Sequence, residues 1–136
     1  MSQSNDVNLS GFVITEPKLA EGSERSICTF FLETSKTWVE AKPGSKDKVR
    51  KENFDQHCIV ALDKTAEALV KIGKVGSEIT VKGELTYSRT KDAAQKEWVR
   101  AEIVISSFQI HGLRKYRYDQ AQSPELGMPY TGTREA

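Results

Sequence analysis

Residues 77–88, SEITVKGELTYS, alternate polar and apolar along almost their whole length. Ile79, Val81, Leu85 and Tyr87 fall on one side, and Thr80, Lys82, Glu84, Thr86 and Ser88 on the other. A period of two belongs to a strand with one buried and one solvated face. Such a strand must bury its apolar face against partners elsewhere in the chain. Residues 7–15, 25–34, 54–62 and 97–110 read as those partners, each a run of β-branched, aromatic or alternating residues bounded by turn formers. Within 25–34, Cys28, Phe30 and Leu32 share one face, while Ile27, Thr29 and Phe31 take the other. One helix is expected over residues 65–75, with Ala66, Leu69, Val70 and Ile72 as a partial apolar stripe. Asp63 is its expected N-cap, Gly73 an interruption and Gly76 its left-handed stop.

The order is therefore strand, strand, strand, helix, strand, strand. An all-β domain with one helix between strands 3 and 4 is the arrangement of a five-stranded OB-fold barrel. Closure of such a barrel protects strand edges that would otherwise be open. The domain is expected to span residues 1–112. Residues 113–136 lack a sustained period and hold few aliphatics, so they are expected to form a flexible C-terminal tail. Three polar connections interrupt the strands: residues 16–24, the long Lys- and Arg-rich stretch 36–52 with its Pro43-Gly44 turn, and residues 89–96.

Charge gives little direction by itself. The formal net charge is +1, far from the basic excess that would announce a polyanionic partner. No apolar run approaches the roughly 18–20 residues of a membrane span. The N-terminus MSQSNDVN is polar and lacks a signal-like layout, so a cytoplasmic location is expected. Cys28 and Cys58 are far apart, and each lies in a strand-like run, which favours two buried thiols over a disulfide. His57 and His111 have no companions at metal-ligand spacing, so neither a metal nor another cofactor is expected. The acids are scattered, and there is no P-loop, HxE or Ser-His-Asp order, which argues against an enzyme.

Five segments carry a more specific signal. They are VNLSGFVITEP with Gly11 and Pro17, FFLETSKTW ending at Trp38, QHCIVALDKTAEAL with His57, VGSEITVKGELTYSR, and RAEIVISSFQI. In this order and spacing, over about residues 5–112, the chain resembles the bacterial single-stranded DNA-binding protein family. The resemblance implies non-enzymatic, sequence-independent binding of single-stranded DNA in replication, recombination or repair. It aligns Trp38 with a base-stacking Trp of the family. It also implies self-association, generally as a tetramer, with dimers known, and places His57, here together with Leu9, at a subunit interface. The chain departs from the family at Gln56, where an aromatic usually precedes the His, at Leu62, and at Thr90, which stands where the family has a Trp. Its TGTREA ending lacks the family's acidic, Pro-Phe recruiting tip, which marks a divergent member and puts recruitment of replication or repair proteins in doubt. The missing aromatics also leave open an OB-fold interaction module, such as a primosome-type adaptor with weak DNA binding.

Binding a single strand takes flat side chains for bases and cations for phosphates. Trp38 is the first candidate, against the alternative that it plugs the barrel end. Phe31 could stack on a base or bury against a second subunit. Trp98, with Arg100 on the same strand face, could take a base and a phosphate, or simply pack over its hairpin. Lys36, Lys82 and Arg89 are the cations best held by strands, and Lys42, Lys48 and Arg50 are offered by the long basic stretch.

Overall fold

The computed structural model describes residues 3–113 and 132–135. Its elements are β1 (Val7–Val13), β2 (Lys18–Leu19), β3 (Ile27–Ala41), β4 (Lys48–Leu62), α1 (Asp63–Ile72), β5 (Ser77–Lys91), β6 (Glu97–Leu113) and β7 (Gly132–Glu135). Five of the strands close on themselves: β1 pairs with β3 and β5, β3 with β4, β5 with β6, and β4 with β6. The result is a closed five-stranded barrel with one helix, consistent with the expected OB architecture, flanked by two short strands, β2 and β7, that the sequence did not signal.

The alternating side chains fill the barrel as their periodicity requires. Cys28, Phe30 and Leu32 of β3, Ile59 and Ala61 of β4, Ile79 and Val81 of β5, and Ile103 and Ile105 of β6 all point inward and are buried with Val13 of β1. Ala66 and Leu69 bring α1 into the same cluster, so the helix covers one end of the barrel. Both cysteines are buried free thiols.

The helix begins and ends differently from expectation. Leu62, not Asp63, is the N-cap, and no side chain caps the helix. Asp63 takes a left-handed φ of 54°, and its carboxylate is drawn instead to Arg25, which donates from Nε and Nη2 at 2.9 and 2.8 Å. These hydrogen bonds hold the Asp63 carboxyl below the usual carboxylate range. At the other end the helix stops at Ile72, and Gly73 is an extended C-cap whose N–H reaches the Leu69 carbonyl. Gly76 is the left-handed residue, at φ 92°, but in the turn into β5, where its N–H donates to Val13.

The largest departure concerns the expected loops. Residues 36–52 are mostly strand, and 89–91 are strand as well: β3 and β4 pair in register from Ile27↔Leu62 up to Ala41↔Lys48, and β5 and β6 pair up to Lys91↔Glu97. True turns are confined to residues 42–47 and 92–96. Of the expected tail, residues 114–131 and 136 lie outside the described residues. Residues 132–135 form β7, antiparallel to β4 with Lys51↔Glu135 and Glu52↔Arg134 in register.

Two glycines sit where strands approach closely. A Cβ on Gly11 would lie 2.1 Å from the Glu33 carbonyl oxygen, and one on Gly83, at the bulge of β5, would lie 2.1 Å from the Val104 carbonyl oxygen and 2.6 Å from the Ile105 Cα. Neither neighbour is a flexible side chain, so the barrel wall itself would have to move. Gly83→Ala should therefore cost about 1–3 kcal/mol, the usual range for overpacking. Urea denaturation checks this, and an unchanged midpoint would contradict the close approach.

Candidate nucleic-acid interface

The orientation of β4 and β6 sets the geometry of the site. They pair in parallel at Cys58↔Glu102, Ile59↔Ile103 and Val60↔Val104. Each begins at the tip of a hairpin, so both hairpins project from the same end of the barrel. At roughly 3.3 Å per residue, the β3–β4 finger extends up to about 33 Å beyond Cys58, and the β5–β6 finger up to about 17 Å beyond Glu102. Trp38 lies on the first, opposite Lys51, and Trp98 on the second, opposite Thr90. Thr90 is the position at which the resembled family carries a Trp. The indole missing there stands directly across the ladder.

Alternation assigns the finger residues to faces. On β3–β4, Lys36 and Trp38 share a face with their register partners Asn53 and Lys51. This face continues the row that buries Leu32. Lys48 and Arg50, paired with Ala41 and Val39, lie on the other face. Lys42 is in the turn. The basic residues expected beside Trp38 are thus divided between two faces. Trp38 is half-buried and its Nε1–H donates to Glu40 at 2.9 Å. Arg50 approaches Glu52 at 3.9 Å.

On β5–β6, Trp98 and Arg100 share a face with Thr90 and Ser88, continuing the outward row through Glu102. Arg89 is on the reverse face with Tyr87 and Val99, 3.5 Å from Glu97. Trp98 is 55% exposed. Its Nε1–H donates to Asp92 at 3.2 Å, and the Lys96 ammonium lies 4.6 Å from its ring centroid. Ser88, Thr90, Trp98, Val99, Arg100 and Glu102 line an open concavity of about 450 Å³.

The remaining candidates are not brought to the fingers. Phe31 is 6% exposed and forms a second apolar cluster with Ile14, Cys58 and Val60 on the outward face of β3 and β4. Its ring offers no open face to a base in this conformation. Lys82 is exposed on β5 opposite Asn8 of β1, across the barrel from β4. Leu9 stands opposite the buried Val81 and packs, half-buried, against the core. Among the described residues no group of three or more His, Cys, Asp or Glu side chains could hold a metal ion.

Sequence reasoning overlooked Asp92 and Lys96. Asp92 organises the second finger's turn: its Oδ1 accepts from the Ala94 and Lys96 N–H groups, both at 2.9 Å. An Asp beginning a short polar stretch between strands is a turn signal, but only the folded hairpin places Trp98 beside it.

His57 is half-buried where the β3–β4 finger leaves the barrel, with Nε2 2.9 Å from Thr34 Oγ1. Burial pushes its pKa below the ordinary 6.5, an effect partly offset by the Asp55 carboxylate. The folded state thus favours neutral His57. Above about pH 6.5 the proton is absent in both states, and below it the unfolded chain takes the proton up first, so stability falls as pH drops. NMR titration should give His57 a pKa under 6.5, and His57→Gln should reduce the stability lost between pH 7 and 5. A pKa above 6.5 would contradict the burial.

The model of the single-strand binding protein family matches residues 4–111. No curated protein matches the chain. Among solved structures, a Plasmodium falciparum SSB in complex with ssDNA aligns with a TM-score of 0.67 at 24% identity, over 82% of this chain and 98% of that one. At that identity the alignment supports the fold, and the family match carries the assignment. With the match spanning the whole barrel and both fingers almost to the end of β6, this chain belongs to the single-strand binding protein family.

Proposed function

We propose that the chain binds single-stranded DNA non-enzymatically and with little sequence preference, protecting strands exposed in replication, recombination or repair. The observation that carries this reading is the pair of fingers projecting from one end of the barrel, each bearing an indole with cations nearby. Every base has a π-face, so stacking on Trp38 and Trp98 does not distinguish sequence. Lys36, Lys48, Arg50 and Arg100 supply charge for phosphates. Because Trp38 and Trp98 continue rows of opposite parity, a strand touching both passes around an edge and does not lie on one flat wall.

Self-association belongs to the same reading. β1 pairs with β5 from Val7 to Phe12 but with β3 only at Phe12 and Val13. Residues 7–10 therefore have a second edge without a β3 partner among the described residues, where another subunit could add. Sedimentation should show a dimer or tetramer.

Two measurements test the binding. An oligo-dT titration should show affinity falling steeply with salt, as counterions are released, and duplex of equal length should bind worse. Equal affinity for duplex and single strand would overturn the reading. Trp38→Ala should weaken binding by about 1–3 kcal/mol, the range for one stacked base, with the melting temperature unchanged within a few degrees. A mutant that melts much earlier yet binds normally when folded would make Trp38 a barrel plug.

A further inference from the structure

We propose that Asp92 is a positioning residue for single-stranded DNA, holding Trp98 as a one-sided platform on which a base stacks over the concavity beside Arg100. The proposal rests on the DNA-binding reading above and adds a residue that the reading does not require.

The geometry singles out this carboxylate. Both oxygens are committed, and to different parts of the finger. Oδ1 takes the N–H groups of Ala94 and Lys96 and so fixes the turn. Oδ2 takes the Trp98 indole N–H at 3.2 Å. The turn is further pinned by Gln95 in the left-handed region at φ 65°, and by backbone hydrogen bonds of 3.0 Å from Asp92 to Lys96 and from Gln95 to Asp92. An exposed Trp otherwise samples several rotamers, and ordering it on binding costs free energy. Here the ring is ordered before DNA arrives.

The same turn makes the two faces of the ring unequal. Lys96, whose backbone is bound to Asp92, lies 4.6 Å from the Trp98 centroid and covers one face with a cation. The concavity, lined by Ser88, Thr90, Val99, Arg100 and Glu102, meets the ring but does not include Lys96. A base entering it stacks on Trp98 with the Arg100 guanidinium in reach of a phosphate. Hydrogen bonds from Lys96, Trp98 and Ala94 keep the Asp92 carboxyl below the usual carboxylate range, so it stays an acceptor at neutral pH.

The sign of the effect separates positioning from electrostatics. Removing a carboxylate next to a polyanion strengthens binding if charge is all that matters. Asp92→Asn keeps a carbonyl for the two turn N–H groups but loses the second acceptor for the indole. In the otherwise wild-type chain it should weaken oligo-dT binding about two- to tenfold, the factor that accompanies ordering one rotamer-rich side chain. In a Trp98→Ala background the same substitution should leave binding equal or slightly tighter. The Trp98 indole N–H resonance, one of two in the chain, should also shift in Asp92→Asn before DNA is added. If Asp92→Asn tightens binding equally in both backgrounds, or leaves the indole resonance in place, the positioning role is wrong. If the wild-type chain fails to bind oligo-dT at all, the DNA-binding reading fails first, and the comparison of backgrounds never arises.

Discussion

The contact on which the rest of the structure depends is the short parallel pairing of β4 with β6, because it both closes the barrel and aims the fingers. Only Cys58↔Glu102, Ile59↔Ile103 and Val60↔Val104 are in register there. Parallel pairs are slightly weaker per residue than antiparallel ones, so hydrogen bonds alone do not hold this seam. Beneath it, Ile59 and Ile103 are buried in the same cluster as Ala66 and Leu69 of α1. Side-chain burial, worth about 25 cal/mol per Å² of apolar surface, thus locks the closure that the four antiparallel ladders leave open. Were β4 and β6 antiparallel, their hairpins would leave opposite ends of the barrel and could not flank one strand of DNA.

Near-neutral net charge and affinity for a polyanion are reconciled by where the carboxylates stand. Glu40 accepts from Trp38, Asp92 accepts from Trp98, Glu52 faces Arg50 and Glu97 faces Arg89. These acids belong to the fingers themselves, beside the rings and cations that a strand would meet. They lower the overall field but fix the geometry of the side chains they touch. Exposed ion pairs of this kind contribute little to stability, so their value lies in orientation.

The barrel was legible in the sequence because its walls face an apolar interior. Ile79, Val81 and Leu85 announce β5, and Phe30 and Leu32 announce β3, through a period of two that a half-buried strand cannot avoid. The β3–β4 finger was not, for the same reason in reverse. Beyond the barrel there is no core to face, so residues 36–41 and 48–52 carry no one-sided apolar row, with Trp38 on one face and Val39 and Ala41 on the other, and read as a loop. Register is equally silent. Nothing local shows that Trp98 stands across from Thr90, or that Phe31, set correctly on the outward face, meets Ile14, Cys58 and Val60 there. The Asp63 cap failed because Arg25, 38 residues away, competes for the carboxylate. Trp38 and Trp98 were identifiable as candidate stacking residues, but their opposite parity and their carboxylate partners required the fold.

The central claim is that the two fingers form the surface that meets DNA. Trp38 and Trp98 are the only tryptophans in the chain, so Trp38→Phe and Trp98→Phe each leave one reporter. Fluorescence of both variants, titrated with oligo-dT while anisotropy of a labelled oligonucleotide confirms binding, tests the claim most directly. Emission should be quenched in both, saturating at the same concentration as the anisotropy. Binding by anisotropy with neither indole responding would place the DNA elsewhere on the barrel and contradict the account.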